Sequence, residues 1–170
     1  MTELNTKLIA RAMGLLLCVI AAAMALPLGW SLYYQSGDSL AFFVSMFVAG
    51  IPGILLARIP VQGDIRLRES FVIVSGGWLL CALAGAIPFL IAGTFTNLPD
   101  ALFEAMSGFT TTGATVIADV ESQPAGILFW RSLLHWLGGL GIIVFSVVLI
   151  PRLGTGGFQL FKAEVPGVQI

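Results

Sequence analysis

The residues of this chain best suited to chemistry are gathered in one stretch, Thr110-Thr111-Thr112-Gly113-Ala114. Hydroxyl and carbonyl oxygens are the ligands that a dehydrated cation accepts in place of water. Gly113 permits backbone angles that aim successive carbonyls the same way. A short helix-forming segment, Pro99 to Gly108, leads into the run, and a long apolar span lies on each side. The stretch is therefore predicted to be a pore loop for a monovalent cation, potassium first. The competing explanation is a Thr-rich turn on an interfacial helix, since Thr and Gly are ordinary turn residues.

Other reactive side chains are sparse. Ser107 and His135 are the best nucleophile and base for an intramembrane enzyme, with no third group to complete them. His135 otherwise packs as a hydrogen-bonded histidine or couples to protons. Cys18 and Cys81 fall inside apolar spans without CxxC or His partners, so zinc and redox sites are not expected. Gly138, Gly139 and Gly141 lack the strand-to-helix setting of a dinucleotide fingerprint and instead allow close helix approach. The run Gly154-Thr155-Gly156-Gly157 lacks the following Lys-Ser/Thr of a phosphate loop. No basic, aromatic-interleaved surface suggests nucleic acid. Arg131 either balances Glu104, Asp119 or Glu121 at a pore entrance or snorkels to headgroups. Glu104, Asp119 and Glu121 are expected to attract cations at the outer mouth.

The elements that would hold such a loop are membrane spans. The chain has 170 residues, 58% of them hydrophobic and 10% charged, too little charge for the surface of a soluble domain. Four spanning helices are predicted, at about Leu8 to Tyr34 (broken near Pro27-Leu28-Gly29), Ser39 to Ala57, Ser70 to Ala92 and Gly126 to Ile150. Each is long enough to cross ~30 Å of hydrocarbon. Lys7 and Arg11 with Ala23-Met24-Ala25 mimic a secretory signal, but the apolar run continues to Tyr34, longer than such signals. Trp30, Tyr33 and Tyr34 suit an interfacial belt.

Basic residues set the topology. Lys7, Arg11, Arg58, Arg66, Arg68, Arg152 and Lys162 all fall at one side of the predicted spans, while Gln35 to Ser39 and Gly93 to Gln123 contain acids and no Lys or Arg. The positive-inside rule puts both termini in the cytoplasm. Arg66 and Arg68 then form part of an inner-face cluster within reach of lipid headgroups. Arg68 and Arg152 share a side, so an even number of crossings separates them. The third and fourth spans supply two, and the apolar stretch between them must enter and leave by the outer face. From Pro99 to Phe109 a helix would rise about 16 Å, half the membrane. Thr110 to Thr115 must then return extended. Pro99 and Asp100 fit a helix start, and the negative end of the helix dipole would favour a cation at mid-membrane.

The region from Pro88 to Gly167 resembles the first pore repeat of the Trk-type potassium uptake proteins, the TrkH branch of the Trk/Ktr/HKT superfamily. Three blocks carry the resemblance in order: Leu102 to Thr115 (LFEAMSGFTTTGAT), Phe129 to Ile142 (FWRSLLHWLGGLGI) and Gly156 to Gly167 (GGFQLFKAEVPG). The family often places a polar residue such as Gln where this chain has His135. The resemblance implies an all-α membrane fold, with four transmembrane helices, a re-entrant pore half-helix and a filter loop. It implies that Thr111, Thr112, Gly113 and Ala114 line one quarter of a selectivity filter, with potassium held at Thr111 and Thr112. Thr110, Glu104 and Arg131 would support them. Potassium is then the transported substrate, with no cofactor and no bond chemistry. The resemblance further implies the bacterial inner membrane, a homodimer and a nucleotide-binding cytoplasmic regulatory ring.

Residues 1–69 would be two leading helices and a cytoplasmic connection, 70–153 the first repeat, and 154–170 the start of a linker to a second. A filter needs four loops around one axis, and this chain has one. A fragment of a longer transporter is the expectation. Self-assembly is hindered by the two leading helices, and a non-conducting scaffold piece is the alternative.

Overall fold

The computed structural model describes residues 4–62 and 66–149, all helix and connection with no strand among them. The elements are α1 (Thr6–Ala23), α2 (Ala25–Tyr34), α3 (Ser39–Ala57), α4 (Leu67–Ile91), α5 (Leu98–Phe109) and α6 (Ala125–Leu149). Among the described residues, four helical spans are long and apolar enough to cross a membrane, with α1 and α2 together making one 29-residue span. Arg152, Lys162, the glycine run at 154–157 and the expected linker lie outside the described residues.

Local chemistry sets the ends. The Asn5 side chain caps α1 by accepting from Leu8 N at 3.2 Å. The first span is interrupted at Met24, not at the expected Pro27-Leu28-Gly29. Pro27 has no N–H for the carbonyl four residues earlier, that of Ala23, so the irregularity falls one turn upstream of the proline. Gln35, with φ 52°, ends α2 in the left-handed conformation. Ser36 and Gly37 then turn the chain into α3.

Lipid tails give apolar helices no hydrophobic reason to associate, so close approach over small residues must hold them together. Gly14 and Gly53 let α1 and α3 meet: a Cβ on Gly14 would stand 2.6 Å from Leu56 Cβ and 2.8 Å from Gly53 O. The starts of α1 and α4 meet where Asn5 N–H donates to Glu69 Oε1 at 3.3 Å. One buried cluster joins the leading helices to the rest. It contains Met24 from the α1–α2 junction, Phe42 from α3, Phe89 from α4 and Trp130 from α6. Phe42 and Trp130 meet edge to face at 6.3 Å. Large apolar side chains such as Leu15, Val19, Phe43 and Phe47 point outward, as a lipid-facing surface requires.

Candidate functional site

The 12 residues of α5 give a helix of about 18 Å, too short to span. The Asn97 side chain starts it by accepting from Asp100 N at 2.9 Å, with Pro99 in the first turn. Its far end stops about halfway along two 25-residue helices. There Phe109 lies edge-on to Trp78 of α4, with ring centroids 6.4 Å apart. On the other side it abuts Gly138 of α6, where a Cβ would sit 2.6 Å from the Phe109 carbonyl carbon. Gly85 and Gly108 make similar room, the first beside the Phe109 ring and the second beside Leu134.

Beyond Phe109 the chain leaves the helix. Thr111 N donates to Gly108 O at 3.0 Å and Thr112 N to Ser107 O at 3.0 Å. Those two bonds are the paired closure of a helix C-terminus that normally requires a left-handed glycine. Here that position is Thr111, at φ 56°. A β-branched residue in this region is strained, by an amount on the order of 1–2 kcal/mol. Gly113 follows at φ 75°, and residues 112–117 have no regular secondary structure.

Side chains hold the turn. Thr110 Oγ1 donates to Met106 O at 2.9 Å, which uses its one proton, so Thr112 is the donor in the 2.8 Å contact between the two hydroxyls. Ser107 Oγ donates to Ala114 O at 2.6 Å. Among the described residues no donor reaches the carbonyls of Thr110, Thr111, Thr112 or Gly113. Residues 110–116 are exposed in the isolated chain.

Glu104, expected as a cation attractor at the mouth, lies buried beneath the return limb instead. Both its oxygens accept from Thr115 Oγ1 at 3.0 Å, and Oε2 also accepts from Val116 N at 3.1 Å. Arg131 Nε donates to Oε1 at 2.6 Å. Of the readings open for Arg131, the ion pair with Glu104 is the one found. A charge so neutralised and enclosed cannot draw ions from outside. Asp119 and Glu121 do remain exposed.

Ser107 and His135 do not form a catalytic pair: the serine hydroxyl goes to Ala114, and His135 Nδ1 lies 2.8 Å from Arg131 O. A carbonyl only accepts, so Nδ1 carries the proton and the histidine is tied to its own helix. One residue counted in the sequence only for its negative charge, as an acid of the Gln35 to Ser39 segment. Asp38, between α2 and α3, is buried, and its Oδ2 accepts from Ile127 N of α6 at 2.8 Å. Its only sequence signal was a lone carboxylate beside Ser36 and Gly37 in a connection between two apolar helices.

Comparison with known proteins places this geometry. Residues 39–169 match the TrkH family model, described as a cation transport protein. The chain is 40% identical over 167 residues to the Trk system potassium uptake protein TrkH of Salmonella typhimurium, covering 96% of this chain and 35% of that protein. It is 34% identical over 172 residues to the Trk system potassium uptake protein TrkG of Escherichia coli, covering 98% of this chain and 35% of that one. The crystal structure of the potassium transporter TrkH from Vibrio parahaemolyticus superposes with a TM-score of 0.83 at 37% identity, over 91% of this chain and 34% of that one. The chain thus spans about a third of the length of the curated relatives it matches. Because the match runs through the half-depth loop as well as the spans around it, the chain belongs to the TrkH family of cation transport proteins.

Proposed function

We propose that this chain contributes one quarter of a potassium-uptake pore in a bacterial inner membrane, with the backbone of residues 111–113 facing the ion. The observation that carries this reading is the depth of the loop. The chain turns non-helical where Phe109 meets Trp78 and Gly138, halfway along two spans. Unpaired carbonyls at that depth cost several kcal/mol each. A dehydrated cation relieves the cost, and the C-terminal end of α5 adds a favourable partial charge. Potassium would be held at Thr111 and Thr112. Ala114 seats the return limb, since its oxygen is engaged by Ser107. Thr110, Glu104 and Arg131 brace the loop from behind.

Four such loops are needed to surround an ion. Further repeats would supply the rest, from the same longer polypeptide or from other chains. Residues 1–69 would then be a leading unit and 70–153 the repeat itself. The basic residues near the start of α1, the end of α3 and the start of α4 support cytoplasmic termini. Arg131 does not count against this orientation, because Glu104 neutralises it. By family likeness, a homodimer and a nucleotide-binding cytoplasmic ring complete the assembly.

The test is potassium uptake in a host lacking its own uptake systems, with this chain joined to its further repeats. Uptake is expected, and substitution of Thr111, Thr112 or Gly113 should abolish it or erase preference for potassium over sodium. Unchanged uptake and preference in those variants would overturn the assignment. No flux from the completed protein would favour a scaffold role.

A further inference from the structure

Asp38 sits in the connection between the two leading spans, 89 residues from the helix it touches. It is buried and fully engaged. Oδ1 accepts from the hydroxyls of Ser31 and Ser36, and Oδ2 accepts from Ile127 N at 2.8 Å. Ile127 lies in the first turn of α6, where backbone N–H groups have no partner within the helix. A carboxylate there gains both a charge-assisted hydrogen bond and the positive end of the helix dipole. The approach depends on Gly126: a Cβ at that position would collide with the Asp38 carboxylate and stand 2.8 Å from the Phe42 ring.

One turn along α6 from Ile127 is Arg131. Arg131 holds Glu104, and Glu104 holds Thr115 and Val116, the return limb of the loop. We infer that Asp38 is a positioning residue for ion selection: it fixes the height and rotation of α6, and through Arg131 and Glu104 the shape of the loop. The leading helices thereby act on the filter and not only on the lipid around it. This inference rests on the pore reading above.

The experiment uses the transporter completed with its further repeats, in membranes. Three variants are compared with the parent: Asp38→Ala, Asp38→Asn and Gly113→Ala. The readouts are the potassium-to-sodium uptake ratio, the potassium KM, and amide hydrogen exchange at Ile127 and Val116. Asp38→Ala should speed exchange at both amides, lower the uptake ratio several-fold and raise KM, while Asp38→Asn, which keeps an acceptor for Ile127, should recover part of each change. A residue that merely helps folding would reduce the amount of protein and the maximal rate while leaving ratio and KM alone.

If Asp38→Ala fails to reach the membrane, the same comparison is made with Asp38→Asn alone, whose lost charge should still lower the ratio. Faster exchange at Ile127 with an unchanged ratio and KM would overturn the inference. In that case a shifted ratio in Gly113→Ala would leave the pore reading standing. An unchanged ratio in every variant would overturn both.

Discussion

Glu104 and Arg131, 27 residues apart in sequence, form an ion pair of 2.6 Å with the carboxylate buried under the loop. The pair couples the half-depth helix α5 to α6. Removing only the cation leaves an enclosed charge, which costs about 3–5 kcal/mol in buried pairs. Arg131→Met should therefore destabilise the protein strongly, and adding Glu104→Gln should restore part of the loss. Thermal unfolding of the single and double variants in detergent measures this, and simple additivity would contradict the pairing.

Gly138 and Gly139 are neighbours with opposite tolerance. A Cβ at Gly138 runs into the Phe109 carbonyl, whereas at Gly139 nothing lies within 4 Å. Gly138→Ala should cost about 1–3 kcal/mol or more through overpacking and should lower transport. Gly139→Ala should be near neutral in the same stability and uptake assays.

Thr111 occupies a left-handed position that glycine would fill without strain. Thr111→Gly should raise stability by roughly 1 kcal/mol while altering the potassium-to-sodium ratio. Gly113→Ala, at φ 75°, should instead lower stability by a similar amount. A matched pair of melting curves decides the signs.

Ser107→Ala removes the donor to Ala114 O and should cost about 1 kcal/mol, with faster exchange in residues 110–117. Labelling with a serine-directed phosphonate probes the rival reading. No modification of Ser107 is expected, because its hydroxyl is held by a carbonyl and faces no base.

Much of the architecture was legible because the lengths of apolar runs obey simple rules in a bilayer. A run of half a span pointed to a helix too short to cross, and Pro99 with Asp100 located its start to within one residue. The turn at Thr110 to Gly113 was visible because Thr and Gly interrupt an apolar run. What could not be read depended on contacts between distant segments. Three acids were available to Arg131, and only the packing of α5 on α6 selects Glu104. Asp38 meets Ile127 solely because the leading hairpin folds across the start of α6. The interruption at Met24 was misplaced because a proline disturbs the carbonyl before it, not its own position.

The short reach of α5 also constrains biosynthesis. The 12-residue α5 leads into open carbonyls at residues 110–113, which bare lipid cannot satisfy. Gly138 and Arg131, which shelter and anchor it, are both on α6 and leave the ribosome later. The half-helix therefore gains its shelter only once α6 has been made.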